Sequence, residues 1–148
     1  HPLVVIAPPS HPRARERAIP FEALAGERFL VREQGSGTRS SMERFFGERG
    51  FAPKIDSVMN SNETIKQAVM AGMGLSFLSL HTIGLELRSG LMHLIEVEGT
   101  PIMRMWNIVH LQSKLLSPAA EAFRYFIIER GEAHLLAHDT ALLDRDGA

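Results

Sequence analysis

Apolar residues alternate along this chain between short unbroken runs and stripes at helical spacing. Leu3-Val-Val-Ile-Ala7 is β-branched and continuous until Pro8-Pro9 stops it, the pattern of a strand buried on both faces. A connector with a short helical turn at Phe21 to Ala25 leads to the next run, Phe29 to Glu33. Ser36 stands where a cap belongs. Met42, Phe45 and Phe46 share one face of a helix starting near Gly37 and ending at Gly50, with Pro53 just beyond. Ile55 to Met59 is a short strand, and Ser61 or Asn62 can cap a helix striped by Ile65, Ala68, Val69 and Gly72. The pattern then predicts a strand at Leu75 to Leu80, a short helix at His81 to Ser89 and a strand at Leu91 to Val97. After a break at Gly99-Thr-Pro101, Trp106 to Leu111 is strand-like. Ser117-Pro118 starts a helix whose Phe123, Phe126 and Ile127 should be buried. Residues 132–148 read as a polar tail that frays or docks loosely.

Strands alternating with helices predict an α/β fold with a mostly parallel sheet. Phe29 to Arg39 is a strand, a Gly-Ser-Gly-Thr turn and a helix start. Lys54 to Gly72 repeats that unit, and Leu75 to Gly90 does so more weakly. Parallel neighbours bring such turns to one sheet edge, where open α/β sheets bind ligands. A helix that opens there leaves its first N–H groups accessible and its dipole positive, which suits anions. The breaks at Pro8 to Ala18 and Gly99 to Met103 divide the chain. Residues 14–102 are expected to form one lobe, residues 1–13 and 103–131 part of another, and 132–148 a tail. Two crossing connections describe a hinged clamp.

Composition narrows the chemistry. The chain has 148 residues, no cysteine and a formal charge of −1, so thiolate chemistry and a basic nucleic-acid footprint are both missing. The run Arg13-Ala-Arg-Glu-Arg17 reads as a solvated linker. No apolar run approaches the roughly 18 residues of a membrane span. The chain begins on a strand-like run at His1, as a fragment of a longer protein would. The Gly-Ser-Gly-Thr-Arg string lacks the lysine and spacing of a nucleotide-hydrolysing loop, and no nucleophile elbow occurs. His134 and His138 with Asp139 have metal-ligand spacing but lie in the polar tail, so neither metal nor cofactor is expected.

Three blocks carry a family resemblance: Phe29-Leu-Val-Arg-Glu-Gln-Gly-Ser-Gly-Thr-Arg39, the stretch Ser61 to Leu80 with its Ala71-Gly72-Met73-Gly74 step, and Leu116 to Phe123. On them the chain resembles the effector-binding portion of the LysR-type transcriptional regulators, most of all those of Calvin-cycle (RuBisCO) operons. The resemblance implies a type-2 periplasmic-binding-protein-like fold, with two lobes joined by crossing strands and the first lobe incomplete here. It also implies a cytoplasmic, non-catalytic sensor of a small anionic metabolite, phosphorylated sugars or acids among the candidates. Promoter DNA would be bound only through a helix-turn-helix outside this chain, and the full-length protein would be a homodimer or tetramer.

The residues expected at the effector are Gly35, Ser36, Gly37, Thr38 and Arg39 on the first turn and Ser61, Asn62 and Glu63 on the second. Each has a plainer reading: Ser36 and Ser61 as caps, Arg39 as the partner of Glu43 four residues on. Two helix ends and two or three charge-assisted hydrogen bonds give a gross ~4–11 kcal/mol. Ordering and desolvation offset part of this, leaving micromolar-to-millimolar affinity, which suits a sensor. A transporter's solute-binding protein and an enzyme on the same clamp remain the alternatives.

Overall fold

A computed structural model describes residues 1–14 and 16–143, with side chains up to residue 137. β1 (Pro2–Ala7) is buried along its whole length, as its unbroken apolar run requires. It is followed by β2 (Arg28–Arg32), α1 (Gly37–Gly47), β3 (Lys54–Met59), α2 (Asn62–Met70), β4 (Leu75–Ser79), α3 (Gly84–Arg88), β5 (His93–Ile95) and β6 (Ile102–Met103). α4 (Pro118–Phe126) then continues through a π turn at Ile127–Gly131 into α5 (Glu132–Leu143).

One sheet holds the strands in the order β3-β2-β4-β1-β5, with β6 also on β1. β2 pairs parallel with β3 and β4, as the repeated units demand. β1 runs antiparallel to β4, β5 and β6, against the expectation that it would join residues 103–131 in another lobe. The connector from Pro8 to Glu27 leaves and re-enters the sheet at the same end, so β1 and β2 must run in opposite directions. β5 and β6 follow β1 in one direction, interrupted by the Gly99-Thr100-Pro101 break, which contains a cis Thr100–Pro101 bond.

The pleat sorts side chains into two cores. Leu3, Val5, Phe29, Val31 and Phe77 face α1, whose Met42, Phe45 and Phe46 fill that side. Val4, Ile6, Leu30 and Leu78 face Ile65, Ala68 and Val69 of α2, with Ile83 and Met92 beyond. The Ala71-to-Gly74 step has a backbone cause. Gly72 ends α2 at φ +78°, where the Met73 amide donates to the Ala68 carbonyl at 3.0 Å. A Cβ on Gly74 would lie 2.5 Å from the Arg28 carbonyl oxygen.

Beyond β6 the expectations fail in part. Trp106 to Leu111 has no ladder partner among the described residues and runs as an exposed strap. α4 forms as its Ser-Pro start predicts, and Ser117 accepts from the Ala120 amide at 3.3 Å, but Phe123 (65%) and Phe126 (58%) are exposed. The tail, expected to fray or dock loosely, is helical to Leu143, and α5 returns to lie beside Leu80–Thr82 and α3.

Candidate functional site

Because β2, β3 and β4 are parallel, their carboxyl ends share one edge, and the three turns after them gather there. Side chains tie the turns together. The Arg32 guanidinium donates to the Asn62 Oδ1 at 2.6 Å, joining the end of β2 to the start of α2. The Lys66 ammonium donates to the Thr82 carbonyl at 3.1 Å, joining α2 to the turn after β4. Thr82 Oγ1 donates to the Ser79 carbonyl, closing that third turn.

The first turn is the most open. Gly35 at φ +87° reverses the chain in a conformation that side chains disfavour, and Ser36 occupies the cap position without a side-chain cap bond. Ser40 is the first residue to donate back into the helix, to the Ser36 carbonyl at 3.0 Å. The amides of Gly37, Thr38 and Arg39 therefore precede the first intrahelical bond. Ser61 is likewise in the cap position of α2 with no side-chain cap bond. The capping roles expected of these two serines are not the ones their hydroxyls take.

Two of the charged candidates are engaged elsewhere. Arg39 pairs with Glu43 at 2.8 Å and donates to the Arg32 carbonyl, and its side chain is only 11% exposed. Glu63 lies 2.7 Å from Lys66, whose buried ammonium also meets Glu86 at 2.8 Å. Burial pushes the Lys66 pKa down, but its hydrogen bonds to Glu63 and Glu86 outweigh this and hold it above the ordinary lysine range. Arg32 and Glu33 form a close pair: the Arg32 hydrogen bond, with Glu33's own backbone, lowers the Glu33 pKa, while Glu33 raises that of Arg32.

β1 and β6 bring to this edge residues that sequence reasoning left out. β1 begins here, so His1 Nδ1 lies 2.9 Å from Ser79 Oγ. β6 ends here, and the Arg104 amide donates to the His1 carbonyl at 2.9 Å. The Arg104 guanidinium then reaches across to Gly37: a methyl group there would lie 2.8 Å from Nη2. Trp106 lies tilted against His1 and His81, with ring centroids 4.7 and 5.4 Å away. Trp106, the start of a stretch expected to be a strand, is 60% exposed at the edge. Arg104 left only a faint signal, a cation between Met103 and Met105 just after a break.

A cavity of about 370 Å³ lies elsewhere, along the β5–β6 connection from Leu94 to Pro101, and contains none of the candidate residues. Among the described residues no group of acids and histidines could hold a metal; the side chains of His138 and Asp139 lie outside them. No described helix is long and apolar enough to cross a membrane.

This arrangement, three amide-rich turns at the edge of a doubly covered sheet, is that of a small-molecule binding domain. Residues 1–132 match the family model of the LysR substrate binding domain, and the chain belongs to that family. It is 55% identical over 128 residues to the RuBisCO operon transcriptional regulator of Allochromatium vinosum, covering 86% of this chain and 42% of that protein. It is 51% identical over 129 residues to the HTH-type transcriptional regulator CfxR of Cupriavidus necator, covering 87% and 41%. It thus spans about two-fifths of the length of these relatives. Among solved structures it is similar to the regulatory domain of Synechocystis PCC6803 CcmR in complex with 2-PG, with 38% identity and a TM-score of 0.81, covering 86% of this chain and 62% of that one. The QuiR effector-binding domain in complex with shikimate shares the fold, with 21% identity and a TM-score of 0.70. These relatives are transcription regulators, not enzymes or transporter components.

Proposed function

We propose that this chain senses a small phosphorylated carboxylate on behalf of a regulator of carbon-fixation genes. One observation carries the reading: three strand-to-helix turns, with Gly35 to Arg39 and Ser61 to Glu63 on two of them, open at one sheet edge beside an arginine. The similarity to a regulatory domain that binds 2-phosphoglycolate supplies the ligand class.

In this reading the edge is one wall of a cleft. The opposing wall belongs to a second lobe to which the strap and α4 contribute, and the exposed apolar face of α4 is part of that lobe's interior. Domain closure on the ligand then shifts how a full-length oligomer presents its helix-turn-helix to promoter DNA. The ligand biases that equilibrium only through unequal affinity for the open and closed states.

Calorimetric titration with 2-phosphoglycolate tests this. The wild-type chain is expected to bind it in the micromolar-to-millimolar range. Thr38→Val, which removes a hydroxyl from the first turn, is expected to weaken binding about tenfold. Heat indistinguishable from buffer for both 2-phosphoglycolate and orthophosphate at about 10 mM would end the proposal.

A further inference from the structure

We infer that Arg104 is the residue that selects the phosphoryl group of the ligand, an inference that rests on the reading just given. Arg104 sits in an electrostatically mismatched position. Helix α1 has its positive end at Gly37, and its first amides carry partial positive charge. A guanidinium brought against that end is repelled unless negative charge lies between them. Arg104 is nonetheless held there. Its backbone is fixed by reciprocal hydrogen bonds with His1, and its guanidinium lies so close to Gly37 that a Cβ at 37 would sit 2.8 and 3.2 Å from its two terminal nitrogens.

Other arginines nearby are already satisfied. Arg32 forks onto Glu33, and Arg39 is bound to Glu43. Among the described residues the Arg104 guanidinium makes no ion pair or hydrogen bond, though it is half-buried rather than extended into solvent. The guanidinium lies beside Gly37, the first residue of the helix whose opening amides are those of Gly37 to Arg39, so donors from two elements stand at one place. A tetrahedral dianion fills that space best, since its oxygens can meet donors from both directions at once. A simple carboxylate has one charge and two oxygens, so it meets fewer of these donors than a phosphoryl dianion does.

Sequence position 37 carries a second consequence. Glycine at the first helical position is a poor helix former, and α1 tolerates it because any side chain would displace the arginine. Gly37→Ala is therefore expected to leave folding intact while pushing the flexible guanidinium away.

Titrations with 2-phosphoglycolate, glycolate and orthophosphate test the assignment on the wild-type chain and on Arg104→Gln, Arg104→Lys, Gly37→Ala and Arg44→Gln. Arg104→Gln is expected to weaken 2-phosphoglycolate and orthophosphate about tenfold or more, and glycolate by less than about threefold. Arg104→Lys keeps the charge without the fork and should fall between. Gly37→Ala should weaken the phosphorylated probes several-fold without lowering the thermal midpoint. Arg44→Gln, at the far exposed end of α1, changes net charge equally and should match wild type. If Arg104→Gln binds 2-phosphoglycolate within twofold of wild type while Thr38→Val weakens it, the role of Arg104 is wrong and the site reading stands. If glycolate loses as much as 2-phosphoglycolate, Arg104 acts on structure or on any anion, and selection of the phosphoryl group is refuted. If the wild-type chain binds none of the probes, the site reading itself fails.

Discussion

Two amphipathic helices in this chain have similar sequence patterns and opposite fates. α1 lays Met42, Phe45 and Phe46 against β2 and β4, and Phe46 is fully buried with the Phe29, Phe45, Phe51 and Phe77 rings around it. α4 presents Phe123 and Phe126 at the spacing of Met42 and Phe45, and both are more than half exposed, with only Ile127 of the predicted face partly covered. Periodicity specifies which side of a helix is apolar; it does not specify what that side meets. Residues 2–103 supply their own partners through the sheet, whereas α4 leaves its phenylalanines more than half exposed.

Mutations that report burial separate the two regions. Phe46→Ala removes the centre of an aromatic cluster and is expected to cost about 3–5 kcal/mol in denaturant unfolding. Phe126→Ala in the same assay should stay within about 0.5 kcal/mol. Comparable losses would break the contrast and show that α4 is covered in solution, in which case the loss should vary with protein concentration.

Lys66→Met probes the ion network beneath the edge. It leaves Glu86, itself nearly buried, without its cation, and a loss of about 3 kcal/mol is expected. The Lys66 pKa is raised in the folded state, so its contribution is fully present below the unfolded lysine value, about pH 10.4, and fades as pH rises through the folded value. Unfolding measured from pH 8 upward should show wild type and Lys66→Met converging at the alkaline end.

Gly74→Ala drives a methyl group toward the Arg28 backbone, where no flexible side chain can yield, and should cost about 1–3 kcal/mol. Ser117→Ala gives the smallest effect. It removes one cap bond from a helix with no buried residue, so about 1 kcal/mol of local stability goes. That loss should appear as reduced helical circular dichroism with the main unfolding transition unmoved.

Much of the fold was legible from local chemistry. The continuous run Leu3 to Ala7 announced burial on both faces, and the glycines at 35 and 50 marked turns that take positive φ, whereas Gly72, read as part of the α2 stripe, lies past the helix end. The Ser117-Pro118 start located α4. The first two turns were legible as anion-favouring ends because strand, small residues and helix follow one another directly. Arg39 and Glu63 were candidates by position, yet short-range partners at i+4 and i+3 take them up. The direction of β1 was not legible, since strand polarity depends on which end of the sheet a connector returns to.

The sequence alone determined the elements from β1 to β5 and the start of α4, the two-sided burial of β1 and the amide-rich turns, because each depends on residues within one or two turns of chain. Tertiary structure decided the remainder. Pairing of Pro2 and Leu3 with Met103 and Ile102 carries Arg104 to Gly37, a meeting of residues 67 positions apart that no local pattern encodes. Long-range pairing is set by the sum of many backbone hydrogen bonds and apolar contacts, so the neighbours at the edge were knowable only once the sheet had been ordered.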